Sequence, residues 1–123
     1  NAEIPQISIL VGNAALFLPL ELQRGADGAM TGFAYPEMLV KVVALHKAGD
    51  VDGAEDLFDA YLPMVRYEQQ LGAGLAIRKE ILHRRGVIGS AKVRAPGPTL
   101  TPRDHDDLTR LMNRLDQKLL AGE

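Results

Sequence analysis

Two consecutive stretches of this chain follow one plan, and that plan limits the folds open to it more than any other feature. The first reads Ile7-Ser8-Ile9-Leu10-Val11-Gly12-Asn13, then a helix-compatible run from Ala14 to Arg24, then Gly25-Ala26-Asp27-Gly28. The second reads Ala29-Met30-Thr31-Gly32-Phe33, then a helix-compatible run from Pro36 to Lys47, then Ala48-Gly49-Asp50. Each is an apolar strand ending at Gly, a helix begun almost at once, and a Gly stop. Strand alternating with helix is the signature of a parallel sheet covered by helices. Ligands in such folds sit where the strands end, so Gly12 and Gly32 mark the edge where chemistry is expected. Two such units are too few to close a barrel or build a doubly wound sheet. The pattern therefore reads as a portion of something larger, and a chain opening at Asn1 without Met fits that expectation.

From Val51 onward the pattern is helical. Asp50 is placed to cap a helix carrying Ala54, Leu57, Phe58, Tyr61, Leu62 and Val65 at one-face spacing. Pro63 lies inside it and is expected to kink rather than end it, because the periodicity continues to Tyr67. Gly72-Ala73-Gly74 is a break, and a second helix follows with Leu75, Ile77, Ile81 and Leu82, stopping at Gly86. Ala95-Pro96-Gly97-Pro98 is an extended connector, since Pro disfavours helix at the residue before it. Thr101-Pro102-Arg103-Asp104 opens a last helix whose stripe is Leu108, Leu111, Met112, Leu115 and Leu119. Leu57, Phe58, Tyr61, Leu62, Ile77, Ile81, Leu111 and Leu115 are expected to share one core, with the last helix packed across the previous two.

Composition excludes several classes. At 123 residues and 46% hydrophobic content, the chain can bury a core. With no Cys, disulfide scaffolds, thiol catalysis and thiolate metal sites are closed to it, which fits a reducing, cytoplasmic setting. A net charge of −2 disfavours nucleic acid as a partner. No apolar run approaches the ~20 residues of a membrane span, so no membrane partner is expected.

Local chemistry is sparse. His46, His83 and His105 fall in different helices with no second ligand at metal spacing, and we expect surface or interface positions and no metal. The basic run Arg78-Lys79, His83-Arg84-Arg85, Lys92 and Arg94 reads as a solvated helix face rather than a phosphate site. Asp104, Asp106 and Asp107 read as charge at a helix N-terminus. Gly25-Ala26-Asp27-Gly28 lacks the Lys and Ser/Thr of a phosphate loop and is a turn.

In order and spacing, these pieces resemble the C-terminal part of the dihydrodipicolinate synthase and N-acetylneuraminate lyase family, Schiff-base aldolases built on a (β/α)₈ barrel with a helical tail. The matching residues are Val11-Gly12-Asn13 for the end of strand seven and Leu18-Pro19-Leu20 in the next helix, then Gly25-Ala26-Asp27-Gly28 with Met30-Thr31-Gly32 for strand eight. Lys47-Ala48-Gly49-Asp50, Leu62-Pro63, Arg78-Lys79 and Arg94-Ala95-Pro96 with Pro98 follow in order. Each motif is short; their order over essentially the whole chain is what is specific. The resemblance implies an α/β fold class, with residues 1–50 as the last two βα units of the barrel and residues 51–123 as a three-helix C-terminal domain.

For mechanism, the resemblance implies an imine between a strand-six Lys and a 2-keto acid such as pyruvate, protons moved by a strand-five Tyr, and a carboxylate gripped by hydroxyls early in the barrel. All of those positions would precede Asn1. The five lysines here, Lys41, Lys47, Lys79, Lys92 and Lys118, fall on helices or the connector, whereas an imine-forming Lys needs a desolvating pocket. No cofactor is expected. By resemblance, Gly12 and Met30 line the substrate pocket, with Thr31 and Gly32 beside them; a side chain at 12 would fill the pocket mouth. Ala14 and Ala15 stand where the sugar-acid branch carries an acidic pair, so sialic acid cleavage is not expected. The leading reading is thus a fragment of such a lyase, inactive alone. The alternative is a non-catalytic helical oligomerisation module derived from that fold. Either way, a lone parallel pair with an apolar face carrying Ile9, Val11 or their neighbours should drive homo-oligomerisation.

Overall fold

A computed structural model describes residues 7–122. Strand β1 (Leu10–Val11) pairs in parallel with β2 (Gly28–Ala29), Leu10 opposite Gly28 and Val11 opposite Ala29. Both strands are shorter than the apolar runs suggest. The pairing nevertheless reaches further than the strands, because Asp27 N donates to Ile9 O (2.7 Å), Met30 N donates to Val11 O (2.9 Å), and the Asp27 carboxylate accepts from Ile9 N (2.7 Å). Two strands joined by a helical crossover is the expected plan.

The first helix departs from expectation. Helix α1 covers only Leu18–Gln23, not Ala14–Arg24. Asn13, Ala14 and Ala15 take positive φ of 56°, 55° and 61°, a left-handed turn in which Ala15 N donates to Gly12 O (3.0 Å). Successive non-glycine residues in this region are costly, so the turn persists only where other groups hold it. Here Ala14 N donates to Thr31 Oγ1 (2.7 Å), and Gln69 Nε2 donates to Asn13 Oδ1 (2.6 Å). The side chains of Ala14 and Ala15 are small enough to be buried beneath it.

The remaining helices follow their signals. Helix α2 spans Pro36–Lys47, with Pro in its first turn. Helix α3 spans Val51–Glu68, capped by Asp50 accepting from Gly53 N (2.9 Å), and it passes through Pro63 without ending. Helix α4 covers Gly74–Arg84, and Gly86 just beyond it takes φ of 77°, as a helix stop requires. Helix α5 covers Pro102–Ala121 behind a capping box, in which Thr101 Oγ1 accepts from Asp104 N (3.2 Å) and Asp104 Oδ2 accepts from Thr101 N (2.8 Å).

Helix α3 is the spine, in contact with α1, α2, α4 and α5. Leu18, Met38, Val42, Met64, Val65, Ile77, Ile81 and Leu108 are fully buried around it. Of the expected core, Phe58, Tyr61, Ile77, Ile81 and Leu115 are buried, while Leu57 and Leu111 are only partly covered. Leu62 lies at the surface, because its side of α3 faces a groove rather than a helix. At the strands the open side is the one expected except at Val11. Val11 is buried in the core, whereas Ile9, Leu10 and Met30 are exposed. Among the described residues, no helix is long and apolar enough to cross a membrane.

Candidate functional site

Parallel strands deliver their C-terminal ends to one edge, and the expected site residues gather there. Gly12 follows β1, and Met30, Thr31 and Gly32 follow β2. Gly12 is exposed with a negative φ, and a Cβ added to it would meet only Met30 O, 4.0 Å away. Neither packing nor φ demands glycine there, so the space in front of position 12 is open. Met30 is 75% exposed, its side chain leaving the pair toward solvent. Thr31 is half-buried, and its hydroxyl oxygen is the acceptor that fixes the left-handed turn after Gly12. One hydroxyl thus ties the two strand ends together.

Gly32 is tightly constrained. A Cβ at this position would lie 2.8 Å from Cζ and Nη1 of Arg78, closer than real Cβ atoms come. Glycine there lets the guanidinium lie against the main chain following β2. Arg78 Nε donates in turn to Glu68 Oε1 (2.5 Å), and Glu68 Oε2 accepts from Ala34 N (3.1 Å). Glu68 is 2% exposed at the end of α3. Desolvation raises its pKa above the ordinary carboxylate range, while the Arg78 and Ala34 N–H groups pull it back down. Buried charge of this kind is retained only when paired and hydrogen-bonded.

The reading of the basic run as a solvated face is corrected at Arg78, Arg84 and Arg85, while His83, Lys92 and Arg94 are exposed as expected. Arg85 lies over the Tyr35 ring, 4.2 Å from its centroid, and donates to Ala34 O and to the Glu37 carboxylate. Burial pushes the Tyr35 hydroxyl up to about 12, with the Arg85 charge opposing the rise. Arg84 donates to Thr109 Oγ1 (2.9 Å) and His105 O (3.2 Å), bridging α4 and α5. These arginines are structural because α4 lies against the strand ends on one side and α5 on the other. His83 Nδ1 lies 3.3 Å from Ile88 O, and His105 Nδ1 lies 3.6 Å from a Glu80 carboxylate oxygen.

Sequence reasoning brought Gly12, Met30, Thr31 and Gly32 to one edge but missed Glu68, Gln69 and the role of Arg78. A signal for Glu68 was present: it continues the buried stripe of Tyr61, Met64 and Val65 at helical spacing, where an acid needs a partner. A separate apolar groove of about 500 Å³ between α1 and α3 is lined by Leu16, Phe17, Leu20, Phe58 and Leu62 among others, and none of the strand-end residues borders it.

Set beside known proteins, the chain matches no family model. It is 32% identical over 109 residues to the L-2-keto-3-deoxyarabonate dehydratase of Azospirillum brasilense, covering 89% of this chain and 35% of that one. In structure it is similar to a dihydrodipicolinate synthase from Rhodopseudomonas palustris, with a TM-score of 0.85 and 52% identity over 88% of this chain and 36% of that one. It is also similar to the 4-hydroxy-tetrahydrodipicolinate synthase of the thermoacidophilic methanotroph Methylacidiphilum fumariolicum SolV, with a TM-score of 0.80 and 27% identity over 96% of this chain and 39% of that one. The chain therefore spans well under half the length of these relatives. They are members of the dihydrodipicolinate synthase family, and the chain corresponds to their C-terminal part.

Proposed function

We propose that the chain is the C-terminal part of an imine-forming 2-keto acid lyase, an aldolase or dehydratase. In this reading residues 1–50 supply the last two βα units of a (β/α)₈ barrel, and residues 51–123 form its C-terminal helical domain. The observation that carries the proposal is the parallel register, which sets Gly12, Met30, Thr31 and Gly32 at one edge, where such barrels bind substrate. The left-handed turn pinned by Thr31 supports it, because strain of this kind concentrates at functional sites. Those four residues would form one wall of a pocket for a pyruvate-type keto acid, Gly12 by leaving room and Thr31 by fixing the wall.

The covalent chemistry would belong to residues upstream of this chain. Lys41, Lys47, Lys92 and Lys118 are exposed, and Lys79 Nζ donates to Lys92 O (3.0 Å) on the outer face of α4. Imine formation calls for an ammonium held in a desolvating pocket, and four of these five lysines are exposed. The chain alone, incubated with pyruvate and borohydride, is accordingly expected to yield no reduced adduct by mass spectrometry. A stable adduct on any of its five lysines would refute the proposed division of labour.

A further inference from the structure

Three arginines occupy α4 and its C-cap, and they use their donors differently. Arg84 and Arg85 place both terminal nitrogens on protein acceptors, Arg84 on Thr109 and His105, Arg85 on Ala34 and Glu37. Arg78 is bonded only through Nε, to Glu68. Its Nη1 and Nη2, carrying four N–H donors, meet no acceptor among the described residues, and its side chain is 32% exposed. The same two nitrogens are among the atoms nearest the missing Cβ of Gly32, one residue from Thr31. Arg78 also lines an open groove of about 360 Å³, together with Gln69, Leu75 and Pro98 among others.

We propose that Arg78 is a ligand-binding residue, whose fork of Nη1 and Nη2, held over Gly32 by buried Glu68, receives a carboxylate on the substrate. This rests on the strand-end pocket proposed above and deepens it. A planar guanidinium anchored through Nε presents two parallel N–H groups, the geometry that a carboxylate accepts in bidentate fashion. Glu68 fixes the fork and balances its charge inside the protein, so a bound anion meets a pre-set donor rather than a flexible side chain. Gly32 supplies the clearance. The ligand class that this fork fits is a carboxylate-bearing anion. Arg78 would act as a specificity residue, with Glu68 positioning it.

Succinate, a dicarboxylate without reactive carbonyl, is the probe, titrated into ¹⁵N-labelled chain against sodium chloride at matched ionic strength. Saturable shifts are expected at the Arg78 Nε–Hε and the Gly32 amide. Arg78→Gln, which has no Nε–Hε, should abolish the Gly32 response, and Arg78→Lys, which keeps the charge and a partner for Glu68, should weaken binding several-fold. Gly32→Ala, which displaces the fork, should do the same, with amide dispersion away from Arg78 and Gly32 reporting that each variant is folded. Shifts that persist unchanged in Arg78→Gln, or no response beyond that of chloride, would overturn the proposal. The Gly12 and Met30 amides report separately on the strand-end pocket. Response at Arg78 and Gly32 without them supports the anion site and counts against that pocket; response at Gly12 and Met30 that survives Arg78→Gln overturns the Arg78 assignment alone.

Discussion

At the scale of single residues, the decisive arrangement is the contact of Gly32, Arg78 and Glu68, which fastens the helical half to the strand ends. Glu68 is buried with its charge offset by one guanidinium and one main-chain N–H. Removing Arg78 leaves that carboxylate stranded, and such losses run to about 3 kcal/mol or more at neutral pH. Arg78→Met should therefore destabilise the chain far more than Glu68→Gln, which keeps an acceptor for Ala34 N. The pH dependence has a definite sign. Burial raises the native pKa of Glu68, so the native state binds its proton more readily than the unfolded chain. That contribution favours folding below the ordinary carboxylate range and is lost as pH rises through the native pKa. Without Arg78 the native pKa rises further, so the deficit of Arg78→Met should shrink as the solution is acidified. Urea melts of both variants across acid and neutral pH would check this; a deficit independent of pH would contradict it. The pairing was not legible from sequence, because a basic run on a helix looks the same whether solvated or pinned. Gly12, Thr31 and Gly32 were singled out by their place at or just after the strand ends, whereas the clearance that Gly32 gives Arg78 depends on a residue distant in sequence and was not legible.

At the scale of elements, punctuation was what the sequence conveyed best. Asp50, Gly86, and Thr101 with Pro102 each set a boundary through a main-chain hydrogen bond or a backbone angle, local effects that need no knowledge of the fold. Helix α1 was misjudged for the opposite reason. Asn13-Ala14-Ala15 is locally helix-compatible, and it turns left-handed only because Thr31 and Gln69, distant in sequence, hold it. Periodicity likewise placed Leu111 in the core, although Leu108 is the α5 residue with no exposure. Leu108→Ala is expected to cost about 2–5 kcal/mol and Leu111→Ala distinctly less. Thr101→Ala, which breaks the capping box, should cost about 1 kcal/mol. The Thr101 main-chain N–H also holds the Asp104 pKa below the usual range, so this stabilisation is present above the ordinary carboxylate pKa and lost as pH falls through the lowered one. Denaturant melts of the three variants test the ranking; equal losses at 108 and 111 would mean that α5 is rotated on α3.

At the scale of the whole molecule, the described residues carry a sheet of two short strands. Two short parallel strands are not stable by themselves, and parallel sheets are normally covered on both faces. Here Val11 is buried, but Ile9, Leu10 and Met30 are exposed, and Phe17, Leu20 and Leu62 leave a second apolar strip between α1 and α3. Light scattering at micromolar concentration is expected to find the isolated chain self-associated; a folded monomer of 13.4 kDa would show that these surfaces tolerate water. On the proposed reading, the preceding strands and helices of a barrel would cover them and would bring an imine-forming Lys to the edge marked by Gly12 and Gly32. Complementation tests that most directly. The chain would be mixed with the upstream part of the Rhodopseudomonas palustris relative, with which it shares 52% identity over the matched region, and treated with pyruvate and borohydride. A reduced pyruvate adduct on a lysine of the upstream part, formed only when both pieces are present, is the expected result. Stable association of the two pieces without any adduct would contradict the assignment of this chain as the closing segment of an imine-forming lyase.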